Sequence, residues 1–519
     1  MLLHTIRKIK IATFLSVAIG IFYSCDDFVD EVPESQISGL AFYQNNEDLQ
    51  LALVAAYSQM STAYSQYHIN WGEFRSDNME PFGGNVARNS MHNSSMDVGE
   101  RNILRWFDLY RFIDLTNRVI NEGATIEGVD NNILGQAYAM RAKVYFDITR
   151  VWGAVPLFTE SINTIDNAFK TRTPAAEIMA NVVIPDMLRA EQLISTPSSN
   201  FVFSQSSVLA LQAEVYLWER ENQLAKDAIE KLIALGTHSL VRSPEDWQDL
   251  FINQVANFRV PDGPGKVQEG PELIFSLNYF LGQGIPTSGL ARAYTAGAKI
   301  TTITREVEEK WRNRFPLDTI WDDLYPDTAP VFTETIIASD GSDSIVPLYG
   351  DWRLFATREG GSFEDGVGTV DEGEARVHKW QKNALGLVPS NDDTDIVIYR
   401  YADMILMLAE AELKLNNAPR ALELINQVRT ARQLPLATTE QFGADFDTQI
   451  DFLLDERQFE LLGEGKRWWD LVRNDKALEV MNPILQDRGE NPLTEQRILW
   501  PVWDQHLIEN PNLTQTLGW

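Results

Sequence analysis

The sequence predicts a mostly α-helical protein with one large domain and a loop-rich region inside it. Apolar residues recur at steps of three and four, which is the periodicity of a helix that buries one face. This pattern is clearest over 103–120, 175–194, 208–235, 405–428 and 450–472. Runs with the character of strands, such as 273–277 and 396–399, are short and few, so we expect no large sheet.

The N-terminus has the layout of a secretory signal peptide. Basic residues within 4–10 precede an apolar run over 11–23, which is too short to span a bilayer because spanning needs about 20 apolar residues. Cys25, the only cysteine in the chain, follows a serine at the end of this run. This arrangement resembles a bacterial lipobox, so we predict a signal peptide over 1–24 and a lipid anchor on Cys25. The alternative is an ordinary unmodified thiol.

The charge balance and the cysteine count exclude several classes of partner and site. The chain carries 44 basic and 74 acidic residues, a formal net charge of −30, which repels nucleic acid and anionic lipid headgroups. A single cysteine permits no intramolecular disulfide and no cluster of thiolate metal ligands. The acidic stretch 26–31 is either a signal for export to the outer leaflet or a solvated tether.

No low-complexity linker divides the chain, although its length alone would suit about two to four domains. The long aperiodic segments are the Gly/Pro-rich 261–265 and the Gly/Asp/Ser-rich 340–373. Long loops inside a compact domain are usually functional or disordered. We therefore predict that both segments are functional loops of one body.

An internal repeat sharpens the predicted architecture. Ala-Met-Arg-Ala-Lys-Val-Tyr-Phe at 139–146 aligns without a gap with Ala-Leu-Gln-Ala-Glu-Val-Tyr-Leu at 210–217, and a looser copy begins at Ala411. A second predicted helix follows the last two copies. Small residues where two helices cross closely are typical of tetratricopeptide helix pairs, although ordinary alanine-rich packing gives a similar pattern. Such pairs form a scaffold and imply no catalysis.

Several segments, in order along the chain, resemble the SusD/RagB family of nutrient-binding lipoproteins. They are Leu-Tyr-Arg-Phe-Ile at 109–113 with Asn117, 140–146, Trp-Gly-Ala-Val-Pro-Leu at 152–157, Arg-Tyr-Ala-Asp at 400–403 with 408–411, Asp-Glu-Arg at 455–457 with 460–461, Glu-Gly-Lys-Arg-Trp-Trp-Asp-Leu-Val-Arg at 464–473, 499–502 and 510–515. Ala154 and the pair at 516–517 depart from the family pattern, but neither position is a predicted ligand contact.

The resemblance implies a mostly helical SusD-like domain over 25–519, after the signal peptide. Its 25–255 half would carry tetratricopeptide-like helix pairs, and its 256–519 half would combine the loop-rich region with the C-terminal family segments. In such proteins the helical half contacts a TonB-dependent transporter, and the loop-rich half holds an oligosaccharide or another nutrient. The implied location is the outer membrane, lipid-anchored and facing the cell exterior.

A cluster of charged residues near the C-terminus admits two interpretations. Its members are Asp455, Glu456, Arg457, Glu460, Glu464, Arg467, Asp470 and Arg473. Paired carboxylates can act as general acid and base in glycoside hydrolysis. Matched basic residues and the neighbouring Trp468 and Trp469 favour instead an ion-pair network that locks a helix to the core.

Other catalytic signatures are absent from the sequence. It contains no His-Glu-x-x-His, no Gly-x-Ser-x-Gly and no Walker loop, and its six histidines are widely separated. We therefore expect no enzyme activity, no cofactor and no metal site. A structural calcium ion stays open, because acidic loops are present without the spacing of an EF-hand.

Two segments, 64–78 and 278–325, combine aromatic residues with polar groups in the way that sugar recognition requires. Flat rings stack on the C–H face of a sugar, while carboxylate, amide and guanidinium groups bind its hydroxyls. The alternative is that each ring packs in the core. We predict that the rings Tyr67, Trp71, Tyr279, Trp321 and Tyr325 contact the ligand, because they fall in predicted loops. We also predict contacts from Asp77 and Asn78, for which the alternative is a structural role, since their stretch resembles a family segment.

Three classes of function remain after this reasoning. The leading prediction is a surface lipoprotein that binds a glycan and delivers it to a TonB-dependent transporter. The alternatives are a secreted carbohydrate-active enzyme and a structural tetratricopeptide adaptor. The lipobox disfavours a cytosolic adaptor, and the lack of a catalytic signature disfavours the enzyme.

Overall fold

The computed structural model describes most of the chain between Phe42 and Trp519. The described ranges are 42–81, 86–162, 164–251, 268–279, 301–315 and 394–519, with shorter pieces at 290, 294, 332–337, 343–348, 350–359, 363–364, 369–370, 375–377 and 379–380. The signal peptide and Cys25 lie outside these ranges, so both stay predictions. The predicted division of the domain at 255 likewise stays a prediction.

Helices dominate the described part of the chain, as the periodicity predicts. They are α1 (Asn46–Gly72), α2 (Val86–His92), α3 (Arg101–Leu104), α4 (Phe107–Gly123), α5 (Asn131–Trp152), α6 (Ala175–Ile178), α7 (Ile184–Leu193), α8 (Gln205–Trp218), α9 (Asn222–Ala234), α10 (Pro244–Asp249), α11 (Arg305–Arg314), α12 (Trp352–Thr357), α13 (Tyr401–Lys414), α14 (Ala418–Ala431), α15 (Thr439–Phe442), α16 (Phe446–Leu461), α17 (Arg467–Arg473), α18 (Ala477–Asp487) and α19 (Asp504–Glu509).

The strands among the described residues form only two-stranded antiparallel pairs. They are β1 (Met79–Pro81) with β5 (Thr301–Ile303), β2 (Val155–Pro156) with β3 (Arg172–Thr173), β4 (Leu273–Leu277) with β12 (Ile396–Arg400), β6 (Phe332–Ile337) with β7 (Asp343–Leu348), β8 (Arg358–Glu359) with β11 (Arg376–Val377), and β9 (Phe363–Glu364) with β10 (Thr369–Val370). The two strand-like runs noted in the sequence therefore pair with each other. Every residue of β4 and β12 is buried, which explains their unbroken apolar character.

The repeated helix pairs are confirmed, and the two helices of each pair are joined by the same type of turn. Arg220 after α8 and Asn416 after α13 both adopt the left-handed conformation, with φ of 63° and 62°. In each turn the next backbone N–H donates to a carbonyl five residues earlier, Glu221 to Tyr216 and Asn417 to Glu412, both at 2.8 Å. This is the hydrogen bond of a Schellman motif. It reverses the chain, so α9 packs on α8 and α14 on α13.

The prediction that 340–373 is one aperiodic loop is wrong. The segment contains β7, the short helix α12 and three further strands. Trp352 is only 2% exposed and Arg353 is fully buried. The sequence pattern misses them because six residues are too few to show helical periodicity, and a buried arginine reads as a surface residue. The other predicted loop, 261–265, lies outside the described residues.

Candidate functional site

The first predicted ligand segment lies in the core. Tyr67 and Trp71 belong to the last turns of α1, and they are 5% and 2% exposed. Their rings stack in parallel with centroids 5.1 Å apart, and the edge of Trp152 meets Trp71. The Tyr67 hydroxyl donates to the carbonyl of Arg105 at 3.0 Å. The prediction that these two rings occupy a loop is therefore wrong, and their faces are covered by protein.

Asp77 and Asn78 are also structural. Arg467 donates two hydrogen bonds to the Asp77 carboxylate, at 2.7 and 2.9 Å, and Gln458 donates to both Asp77 and Asn78. Burial by itself would raise the pKa of Asp77, but the Arg467 guanidinium outweighs it and holds that pKa below its usual value. Both residues lie in a turn after α1, and their polar groups are satisfied inside the protein, which is the structural alternative to ligand binding.

The reason for this misplacement is that every residue from 67 to 79 is buried. A stretch surrounded on all sides has no exposed stripe, so it carries no periodicity for the sequence to show. Its mixture of rings and polar groups resembles a sugar-binding loop, but here these polar groups bind other parts of the chain.

In the second predicted segment, the one predicted contact that the structure describes, Tyr279, is buried. Tyr279 is fully buried; its backbone N–H donates to the Asp395 carboxylate at 2.7 Å and its hydroxyl donates to the Ser61 carbonyl at 2.6 Å. Tyr279 follows β4 outside any helix or strand, as the loop prediction states, but its side chain is covered by protein. Trp321 and Tyr325 lie outside the described residues, so their role in ligand binding stays a prediction.

The charged cluster near the C-terminus forms the predicted ion-pair network. Its centre is Glu460, whose carboxylate contacts Arg353 at 2.7 Å, Arg400 at 2.7 Å and Arg432 at 2.8 Å. Each of these four side chains is at most 1% exposed. Burial alone would raise the pKa of Glu460, but the three guanidinium groups hold it well below its usual value. A carboxylate locked in the ionised form cannot act as a general acid at neutral pH.

Among the described residues, this network joins acidic and basic side chains in equal number. Its connected members are Glu272, Asp351, Glu456, Glu460 and Glu464 on one side, and Arg353, Lys379, Arg400, Arg429 and Arg432 on the other. Several members of this network lie in segments that the sequence predicts only as loops or as the ends of secondary-structure elements. Periodicity reports apolar faces, so it gives no signal for a buried charge whose partner is distant in sequence.

The buried side chain of Glu73 joins the end of α1 to the turn before α17. The Glu73 carboxylate accepts hydrogen bonds from the backbone of Gly463 at 2.8 Å and of Gly465 at 3.0 Å. Burial raises the pKa of Glu73 to about 7. A raised pKa often marks a functional acid, but both Glu73 oxygens are engaged with the backbone of the same turn, so we assign it to the scaffold.

One polar cavity of about 560 Å³ lies between the segment after α9 and the pair α13–α14. It is lined by His238, Ser239, Leu240, Arg242, Tyr401, Gln427, Thr430 and Ala431. No carboxylate is among these lining residues, so the cavity offers no paired acid and base. Within the described ranges, no group of His, Cys, Asp or Glu side chains is arranged to hold a metal ion, and no helix is both long and apolar enough to cross a membrane.

Comparison with known proteins defines the family. A family model described as "SusD family" matches residues 365–519, and one described as "Starch-binding associating with outer membrane" matches residues 27–217. SusD-like protein P38 of Formosa agariphila is 38% identical over 526 residues, which cover 98% of this chain and 99% of that protein. SusD-like protein P2 of the same organism is 25% identical, and the match covers 98% of each chain. The chain therefore belongs to the SusD family.

Solved structures show the same fold. A SusD superfamily protein of Bacteroides thetaiotaomicron superposes with a TM-score of 0.69 at 20% identity, covering 91% of this chain and 99% of that one. NanU of Bacteroides fragilis superposes with a TM-score of 0.63 at 21% identity, covering 94% of this chain and 99% of that one. The predicted helical architecture with tetratricopeptide-like pairs is confirmed at the level of the fold.

Proposed function

We propose that this protein is a lipid-anchored receptor on the outer membrane that binds a glycan and delivers it to a TonB-dependent transporter. The observation that carries this proposal is the end-to-end relationship with a SusD-like protein at 38% identity. It is supported by the match of the N-terminal half to a family described as starch-binding and associated with the outer membrane.

The chemistry of the described buried carboxylates supports the binding role that we propose for this protein. Glycoside hydrolysis needs one carboxyl group that is protonated near neutral pH and a second that is ionised, both facing the same substrate. Arg429 and Arg400 hold the pKa of Glu456 and of Glu464 below its usual value against the effect of burial. These groups are therefore committed to the scaffold and not to a substrate.

The membrane anchor in this proposal is Cys25. Its thiol would carry the lipid, and the acidic stretch after it would lead to the folded domain at the cell exterior. One acyl chain alone gives only weak membrane binding, so a stable anchor requires more than one chain. The −30 charge of the protein adds no attraction to an anionic membrane surface, which leaves the lipid as the source of attachment.

The proposed partner contact uses the rigid helix pairs. The turn within each of the pairs α8–α9 and α13–α14 fixes that pair, and α9 also packs on α13. A preformed surface of this kind loses little conformational entropy when it binds. We assign the transporter contact to this helical side, and ligand capture to the loop-rich side.

Membrane fractionation and co-purification test the anchor and the partner together. The wild-type protein should stay in the membrane fraction and co-purify with a TonB-dependent transporter after mild solubilisation. Cys25→Ala should leave the membrane fraction, and Cys25→Ser serves as a near-isosteric companion that also lacks the acylated sulfur. Unchanged membrane retention of both variants, or repeated recovery of the wild-type protein without a transporter, would contradict the proposal.

A further inference from the structure

The polar cavity between the segment after α9 and the pair α13–α14 has the size of a binding site for a small molecule. Its volume is about 560 Å³, within the range of roughly 300–1,000 Å³ that is usual for ligand pockets. Its walls come from three separate parts of the chain: the segment 238–242, Tyr401 at the start of α13, and the last turns of α14. None of the predicted ligand contacts that the structure describes is among these lining residues.

Arg242 supplies a positive charge to this wall. The preceding residue, Val241, is buried, and its backbone is held by Arg432, which donates to its carbonyl at 2.7 Å, and by Glu272, which accepts from its N–H at 2.9 Å. Arg242 itself is exposed and lines the cavity. Its guanidinium forms no ion pair with any residue that the structure describes. The N–H donors of this group are therefore available to a ligand.

Neighbouring charged groups leave the charge of Arg242 unbalanced. Glu423 on α14 is paired with Arg420 at 2.9 Å, and Glu272 is paired within the buried network. Burial lowers the pKa of His238 below its ordinary value, so this wall residue is neutral at pH 7. The wall thus carries one positive charge without a described carboxylate to match it, which favours an anionic group in the cavity.

Uncharged polar groups accompany Arg242 in the wall. They are the hydroxyls of Ser239 and Tyr401 and the amide of Gln427. In the part of the chain that the structure describes, none of these three side chains has a hydrogen-bond partner. Each can both donate and accept, which is what the hydroxyls of a ligand require. Leu240 adds an apolar patch that can cover the C–H groups of the same ligand.

The backbone of the wall is fixed before any ligand binds. Nδ1 of His238 and the backbone N–H of Ser239 both donate to the carbonyl of Pro271, at 3.3 and 3.2 Å. The Gln433 amide donates to the backbone carbonyl of Arg242 at 3.1 Å. A ligand would therefore lose little affinity to ordering of this segment.

We propose that this cavity binds a small hydroxylated carboxylate, a sugar acid. The Arg242 guanidinium holds the carboxylate through two parallel hydrogen bonds, and the uncharged polar groups bind the hydroxyls. An acidic side chain of another protein presents the same carboxylate, but it brings no hydroxyls for those groups. This inference goes beyond the glycan receptor proposed above and does not depend on it.

Isothermal titration of the purified protein with three probes tests the proposal. D-galacturonate carries hydroxyls and a carboxylate, D-galactose carries the hydroxyls alone, and acetate carries the carboxylate alone. We expect galacturonate to bind roughly tenfold more tightly than either of the other probes. Arg242→Gln should weaken galacturonate binding to the level of galactose, and Gln427→Ala should weaken it roughly threefold.

Arg111→Gln is the matched control. Arg111 is likewise exposed, and it is not among the residues that line this cavity, so its loss should leave galacturonate binding unchanged. Equal affinity for galacturonate and galactose would overturn the proposal, and so would equal affinity for galacturonate and acetate, since the site would then recognise a bare carboxylate. Undetectable galacturonate binding at millimolar concentration, or equal losses in Arg242→Gln and Arg111→Gln, would overturn it as well.

Discussion

Gly72 lies so close to the backbone of Gly465 that position 72 has no room for a side chain. A Cβ atom placed on Gly72 would stand 1.8 Å from the carbonyl oxygen of Gly465. The last turn of α1 therefore packs directly on the backbone of the turn before α17. Glu73 binds the same turn, so the N-terminal helix and the C-terminal family segment are joined at one point.

Gly72→Ala should destabilise the protein strongly because the obstructing atom belongs to the backbone and cannot rotate away. We expect the free energy of unfolding to fall by about 3 kcal/mol or more. Chemical denaturation measures this loss. Gly99→Ala is the matched control, since its Cβ would meet a side-chain oxygen at 3.3 Å and should change stability by well under 1 kcal/mol. Equal stability of both variants would contradict the close packing.

Trp71→Ala should lower stability and leave ligand affinity unchanged. The indole is 2% exposed and stacks on Tyr67, so its loss should cost about 3–5 kcal/mol. Its ring N–H has no hydrogen-bond partner among the described residues, and Trp71→Phe should therefore cost less than the alanine variant. Thermal melting measures the cost. A Trp71→Ala protein with wild-type stability and weakened glycan binding would return this residue to the ligand site.

The Asp77–Arg467 ion pair should contribute far more than an exposed pair of the same type. Removing one buried partner leaves the other charge unpaired, so Arg467→Met should lower the free energy of unfolding by about 3–5 kcal/mol. The exposed pair Arg220–Asp475, in which both side chains are about two-thirds exposed, provides the control. Asp475→Asn there should change stability by about 1 kcal/mol or less.

Similar losses in both variants would mean that burial does not determine the strength of these pairs. Adding Asp77→Asn to Arg467→Met should restore part of the lost stability, because the second change removes the stranded charge. This double-mutant comparison isolates the pairwise contribution.

Two buried histidines should make the fold acid-sensitive below pH 6.5. Burial, together with nearby lysine or arginine charges, lowers the pKa of His68 and of His92 from 6.5 to about 3. The unfolded chain therefore takes up a proton on each near pH 6.5, whereas the folded protein does not until about pH 3. The contribution of these histidines to stability is fully present above pH 6.5. Below that pH it is lost by up to about 1.4 kcal/mol per pH unit for each histidine.

Denaturation midpoints measured between pH 7 and pH 4 check this dependence. The variant His68→Gln with His92→Gln should show a shallower loss of stability over that range, because two proton-binding groups are gone from the unfolded chain. Buried carboxylates such as Asp77 add acid sensitivity of the same sign, so the informative quantity is the difference in slope. An identical slope in both proteins would contradict the account.

The helices can be predicted from the sequence, whereas the ligand contacts cannot. A repeated pattern reports how helices pack, but it does not report which molecule a given side chain contacts. The repeats at 139–146 and 210–217 were recognisable because small residues recur at helix crossings. Tyr67, Trp71 and Tyr279 were misplaced because residue type alone does not distinguish a ring on a sugar from a ring on another ring. Arg353 is missed because two of its buried partners, Glu456 and Glu460, are more than 100 residues away along the chain.

Titration of the lipid-free protein with a panel of soluble oligosaccharides, followed by chromatography of the recovered ligand, tests the proposed role most directly. We expect saturable binding of at least one glycan, which is recovered at its original length after prolonged incubation. Trp321→Ala should weaken that binding roughly thirtyfold if its indole is a central ligand contact. Absence of binding across the panel, or shortening of the glycan in proportion to protein and time, would contradict a receptor that binds its ligand without cleaving it.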